Sequence, residues 1–406
     1  MGESKTRWSQ DELPPVLILG GEANALSVAR DLSAMGVTVY AIGSPEACVR
    51  YSRHCRWIDV DIATSAEESW SSFLLGAEST DLRGAVLLPC SDAGIRVVAR
   101  HREALAQLYR MDESDARAQL DVLDKLTTYQ HAAAAGVPTP RFWEVAGRDE
   151  VIAIRDELVY PLVVKPRLSH VFESRFGRKH IVASSFDDVI DAFDTAAVSG
   201  ISMCLVELIP GGDDHLCSYF TYVDAGGAAL FDFTKRVIRR YPAGMGAASY
   251  HVTEWIPQIV APSQALLRQV GLRGLANIEY KRDARDGTYK LIECNARFVA
   301  SNCLVTASGC NLAALVYNRI VGRPHEMPSS FTYGRRLWDP MRDCLAFREL
   351  HRAGELSLFR WLRGVCHRQT FPVFRWTDPR PGIARARRML QRTRGPREDQ
   401  KPRPSC

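Results

Sequence analysis

The segment Asn277–Arg297, NIEYKRDARDGTYKLIECNAR, holds the residues of this chain best suited to chemistry. Glu279 stands at one end of a hairpin and Glu293, Asn295 and Arg297 at the other. On a strand read as Tyr289 to Ala296, polar groups at i, i+2 and i+4 project from one face of the sheet. A loop centred near Asp286-Gly287 brings Glu279 opposite Glu293. Two carboxylates and an amide oxygen on one face suit a hard divalent cation, which takes oxygen ligands and leaves positions open for phosphates. An arginine two residues on can meet the charge that spreads over a transferring phosphoryl group. The competing reading is a solvated hairpin face. Against it, Ile278, Tyr280, Leu291, Ile292, Cys294 and Phe298 interleave with the polar set. Burying that apolar face leaves the carboxylates in a cleft, where unpaired charge requires a counter-ion. A metal–phosphate site is the leading reading.

The elements upstream supply the cations. Tyr160-Pro-Leu-Val-Val-Lys165-Pro166 reads as a short buried strand ending in a lysine. Its charge needs an anionic partner in a dry site, and phosphate is the obvious one. The next loop carries Ser169, Ser174, Gly177, Arg178 and Lys179 before a strand at His180–Ala183. Hydroxyls, a glycine and basic side chains in that order suit a phosphate-covering flap. An apolar strand then ends at Glu207, followed by a Pro- and Gly-rich turn through Asp213 and Asp214. A helical linker at about 116–137 contains Lys125.

At 406 residues the chain should hold two to four domains. No apolar run reaches membrane-spanning length, and the charged start MGESKTRWSQDE has no signal-peptide core, so a cytoplasmic protein with no membrane partner is expected. The eleven cysteines form no C-x-x-C pair and read as small buried residues of a reducing compartment. Most of the net charge of +5 falls in the tail Arg380–Cys406, which lacks interleaved aromatics, so no nucleic-acid partner is expected. Residues 15–115 alternate strands and helices, beginning PVLILGGEANALSVARDLSAMGVTVYAIG. Val16–Leu19 is a continuous apolar run of the kind found in a covered parallel sheet. Gly20-Gly21 is only a partial dinucleotide fingerprint, which favours a small-molecule pocket lined by Gly21, Glu22, Ser91 and Asp92 over NAD.

Lys125, V-V-K-P at Lys165, V-E-L-I-P-G-G-D-D, N-I-E-Y and I-E-C-N-A-R, in that order, resemble the ATP-grasp superfamily over about 115–325. Residues 15–115 are similar to the Rossmann-like domain that precedes the grasp. The resemblance implies an α/β protein in four parts: a disordered stretch 1–14, a pre-grasp domain 15–115, a two-lobed α+β grasp 116–325 with its lid at about 140–205, and a helical extension 326–406. It implies ATP and Mg²⁺ (or Mn²⁺) as cofactors. Lys125 and Lys165 would hold the α- and β-phosphates, with Lys179 in the flap above them. Glu207 and Ile209 would sit at the hinge beside the adenine, and Asp214 would take the ribose hydroxyls. Glu279, Glu293 and Asn295 would ligate the metal, and Arg297 would steady the γ-phosphoryl group.

Within the superfamily the chain resembles carboxylate–amine ligases of the D-aspartate ligase type. Segment 231–249, FDFTKRVIRRYPAGMGAAS, is similar to their basic strand followed by Y-P and a Gly-rich loop. Lys235, Arg236 and Arg239 would bind the acceptor carboxylate or the γ-phosphate, and the Gly244–Ser249 amides would cradle an acylphosphate. The implied activity is ADP-forming ligation of a small carboxylate to an amine, with a homodimer left open. Two alternatives stand beside it: carbamoyl-phosphate-synthase-like or carboxylase chemistry on bicarbonate, and a non-catalytic ATP sensor.

Overall fold

A computed structural model describes residues 13–166, 180–197, 202–328 and 330–394. Most of the N-terminal stretch read as disordered, and the flap residues Ser169 to Lys179, lie outside the described residues. Three sheets organise the chain.

The first is parallel and built from β1 (Val16–Leu19), β2 (Val39–Ile42), β3 (Arg56–Trp57) and β4 (Val86–Pro89), in the order β3-β2-β1-β4. All four residues of β1 are buried, as helices covering both faces require. Its carboxyl edge faces the rest of the molecule, where Gly20 and Gly21 adopt positive φ values of 72° and 95°. A Cβ on Gly20 would lie 2.2 Å from Ser91 Oγ, so only glycine lets the loops after β1 and β4 close together.

The second sheet lies in the segment read as the lid and comprises β5 (Phe142–Glu144), β6 (Leu162–Pro166), β7 (Ile181–Ala183) and β8 (Met203–Glu207), antiparallel in the order β5-β8-β6-β7. It covers a small core of its own, including Val151, Leu162, Val164, Val189 and Leu205.

The third sheet carries the candidate site. It comprises β9 (Leu216–Val223), β10 (Phe233–Tyr241), β11 (Ala247–Thr253), β12 (Gly274–Arg282), β13 (Tyr289–Asn295), β14 (Arg336–Trp338) and β15 (Gln369–Thr370). Their order is β13-β12-β9-β10-β11-β14-β15. One face buries Tyr219, Ile278, Tyr280 and Leu291 against helices Ala116–Leu123, Lys125–Ala134 and Val260–Val270. The extension is helical, with Pro340–Arg352, Leu358–Val365 and Arg380–Arg394, but it also supplies the two outer strands.

Two devices lock the pre-grasp sheet to the remainder. A shared core joins Val16, Leu26 and Val86 to Phe220, Leu312 and Tyr317. Asp378 of the extension is buried beside Arg30, 2.9 Å away, and also accepts from Ser52 Oγ (2.7 Å) and the Arg53 amide (3.2 Å). Among the described residues no helix is long and apolar enough to cross a membrane.

Candidate active site

The hairpin of β12 and β13 forms in the anticipated register, with Glu279 opposite Glu293 and Asn277 opposite Asn295. A bulge follows Glu279, where Tyr280 pairs with Leu291. Residues directly opposite across a ladder share a face. The row therefore extends through Glu279↔Ser218 and Ser218↔Lys235 to Lys235↔Thr253. Glu293, Glu279, Ser218, Lys235 and Thr253 make one continuous polar stripe across five strands.

Facing carboxylates repel each other on a sheet, and cations gather against that charge. Lys125, the first residue of its helix, places Nζ 3.9 Å from Glu293 Oε2. Lys165 projects from the lid, with Nζ donating to Tyr129 Oη at 3.4 Å; that hydroxyl in turn donates to the Ile292 carbonyl at 3.0 Å. Burial depresses the Lys165 pKa, opposed by Cys204 and Glu293. An anionic ligand would restore its charge. Lys235 is almost fully buried, with Nζ donating to Ser218 Oγ (3.1 Å) and lying 3.3 Å from His251 Nδ1. Burial lowers the Lys235 pKa against the pull of Glu279. Burial, then Lys235 and Arg342, holds His251 well below the usual imidazole range, which makes it the acceptor for the lysine.

Arg297 lies just past β13, and its Nε donates to Asp92 Oδ1 at 2.6 Å. Asp92 opens the helix after β4, so this pair joins the pre-grasp domain to the end of β13. Burial would raise the Asp92 carboxyl, but Arg297, Lys125 and Arg96 outweigh it and hold it low. Asn24 fixes the same junction by donating to the carbonyls of Cys90 (2.6 Å) and Phe298 (2.8 Å). Asp92, anticipated for the strand-end pocket, and Arg297, anticipated for the phosphate, thus meet at one place.

Other anticipated residues are placed differently. Arg236 follows Lys235 on β10 and so projects to the opposite face, where Nε donates to Glu254 Oε2 at 2.8 Å. Arg239 makes a bidentate pair with Asp343 of the extension, at 2.8 and 2.7 Å, and does not reach the stripe. Glu207 accepts from the Arg141 amide (3.0 Å) and pairs with Arg285 (2.5 Å) and Lys290 (3.7 Å), which leaves its side chain little to offer a nucleotide. The Ile209 carbonyl accepts from Lys281 Nζ at 2.8 Å. Asp214 is exposed on the turn Asp213–His215, whereas Asp213 binds Arg240 (2.5 Å) and the Gly244 amide (3.0 Å). His215 Nδ1 donates to the Arg282 carbonyl at 2.9 Å, tying that turn to β12. The Gly-rich loop meets the lid where His180 Nε2 lies 3.5 Å from Met245 Sδ.

Among the described residues no three acidic, histidine or cysteine side chains converge into a metal cage. The donor set suits a magnesium ion that takes one or two carboxylates from protein and completes its shell with phosphate and water. Ser218, His251 and Tyr129 were missed from sequence. Carrying the Glu279 row across the neighbouring strands would have found Ser218, but that needs the strand order.

No family model matches the chain. It is 26% identical over 363 residues to a D-aspartate ligase of Enterococcus faecium, covering 82% of each chain. Among solved structures it superposes on a biotin carboxylase of Campylobacter jejuni described as a beta-gamma-ATP complex (TM-score 0.64, 15% identity, 80% of this chain and 74% of the other). It also superposes on an L-amino acid ligase of Bacillus licheniformis (TM-score 0.59, 17% identity, 76% and 75%). The fold is that of the ATP-grasp superfamily. In sequence the chain resembles the D-aspartate ligases.

Proposed function

We propose that the protein is an ATP- and Mg²⁺-dependent ligase that joins a small carboxylate to an amine through an acylphosphate. The observation that carries this reading is the polar stripe from Glu293 to Lys235, met by Lys125 from the body, Lys165 from the lid and Arg297 from the junction with the pre-grasp domain. Such a set is built to position phosphates and neutralise charge, which is most of what phosphoryl transfer asks of a protein.

Glu279, Glu293 and Asn295 would hold the metal, which on binding neutralises phosphate charge and polarises the transferred group. Lys125 and Lys165 would grip the nucleotide phosphates. A substrate carboxylate oxygen attacks the γ-phosphorus and ADP leaves; the amine nitrogen then attacks the acyl carbon, and phosphate departs as the amine loses a proton. Arg297, held by Asp92, would face the charge on the transferring group. Lys235 would neutralise either the acceptor carboxylate or the departing phosphate. The first carboxylate to try is D-aspartate, because a relative of that name covers most of the chain.

The test is ADP release with Mg²⁺-ATP and amino acids offered singly and in pairs, alongside Glu293→Gln. Turnover that needs one carboxylate and one amine and disappears in the variant is the expected result. Turnover on bicarbonate alone would replace the reading with carboxylase-type chemistry. Nucleotide binding with no turnover on any pair would favour a sensor.

A further inference from the structure

The helix Leu358–Val365 of the extension presents an unusual outer face. Trp361 turns inward, stacking on Phe347 at 4.8 Å and donating to Asp343 Oδ2 at 2.9 Å. Leu358, Phe359 and Leu362, at i, i+1 and i+4 on the outward side, are 51%, 74% and 45% exposed. Trp376, eleven residues past the helix, is 88% exposed. Monomeric proteins seldom leave adjacent large apolar side chains uncovered without a use for them.

The surroundings of this face say what covers it. Exposed Arg360 and Arg363 lie on the same helix, and exposed Arg352 and Arg368 flank it. Residues 352–368 carry four arginines and no lysine against one carboxylate, Glu355, three positive charges in excess. A second copy docking here would bring like charges together. A nucleic acid would match the arginines but leave the leucines and phenylalanine without a partner. A bilayer of anionic lipid meets both, with apolar side chains entering the acyl boundary and guanidinium groups at the headgroup phosphates.

We propose that the helix Leu358–Val365 docks this enzyme peripherally on anionic membrane surfaces. The expectation of no membrane partner rested on the lack of an apolar span, and a helix lying in the interface needs none. The inference does not depend on the reaction.

The experiment is co-sedimentation of the full-length protein with vesicles of phosphatidylcholine alone or mixed with phosphatidylglycerol. Two variants accompany it, Phe359→Ser/Leu362→Ser and Arg360→Glu/Arg363→Glu, with thermal unfolding as the check on fold. The protein should pellet with the anionic vesicles only and be released by high salt. Each variant should lower the bound fraction by roughly tenfold while leaving ADP release in solution unchanged. Equal recovery on neutral vesicles, or no pelleting on either, overturns the proposal. So does a protein that sediments as a dimer and becomes monomeric in Phe359→Ser/Leu362→Ser, because a second copy would then own the face.

Discussion

Two charge clusters on the same sheet have opposite characters. At Asp343 the carboxylate is fully buried and receives both arms of Arg239, the Ser249 hydroxyl and the indole N–H groups of Trp338 and Trp361, all within 2.9 Å. At Glu293 the side chain is 36% exposed and its cation, Lys125, stands back at 3.9 Å. The first cluster is a joint: every lone pair is used, and the extension is held to β10 and β11. The second keeps coordination capacity in reserve, which a phosphate-bearing substrate and its metal would complete. Saturation marks structure, and incompleteness marks the candidate site.

The largest effect that follows is at the stripe. Glu293→Gln should lower turnover by about 10²–10³-fold, as expected when one electrostatic contributor to phosphoryl transfer is lost. Its melting temperature should hold or rise, because one of two facing like charges is gone. Steady-state ADP release and calorimetry on the same sample check both halves. Asp343→Asn should do the reverse. Breaking a buried, fully paired ion costs about 3–5 kcal/mol of stability. The fraction that remains folded should keep near-normal KM values. If Glu293→Gln proved destabilising and fully active, the contrast between the clusters would collapse.

The Asp92–Arg297 pair tests whether the pre-grasp domain takes part in the chemistry. Asp92→Asn keeps the shape but loosens the grip on Arg297, so kcat should fall by about tenfold, with Arg297→Lys at least as impaired because lysine lacks the planar fork. A larger effect on KM for ATP than on kcat would instead make Arg297 a ground-state phosphate ligand.

How much of this was legible beforehand depended on whether a contact was local. The β12–β13 hairpin was readable because a short turn fixes its register, and the period-2 alternation then fixes the faces. Lys165 was readable as a cation at the end of an apolar strand. Arg239 was misread because its partner, Asp343, lies 104 residues on and nothing local distinguishes a docking arginine from a catalytic one. The Asp92–Arg297 pair spans 205 residues, and although each residue stood out singly, their meeting depends on how two domains pack. Ser218 and His251 have ordinary neighbours in sequence; only the strand order β12-β9-β10-β11 makes them companions of Glu279 and Lys235.

His251 gives a milder handle on the buried half of the stripe. Its folded pKa lies well below the ordinary value of 6.5, through burial and the charges of Lys235 and Arg342. The unfolded chain therefore binds more protons than the folded one between those two values, and stability must fall as pH drops through 6.5. The contribution is at most about 1.4 kcal/mol per pH unit. Replacing His251 by Gln should flatten the decline in melting temperature between pH 7 and pH 5. An unchanged slope would mean that the imidazole is charged or solvated in the folded protein.

The smallest effect is also the sharpest discriminator, because Lys235 and Arg236 are neighbours that chain alternation sends to opposite faces. The ion pair of Arg236 with Glu254 is part-exposed on both sides, a class worth about 0–1 kcal/mol. Arg236→Ala should therefore change stability by less than 1 kcal/mol and turnover by less than about twofold. Lys235→Met, one residue away, should abolish most activity, because it removes the cation that faces Glu279 and leaves His251 and Ser218 without their shared donor. Equal losses in the two variants would mean that β10 twists or shifts register when substrates bind. The stripe would then have to be redrawn with Arg236 on it.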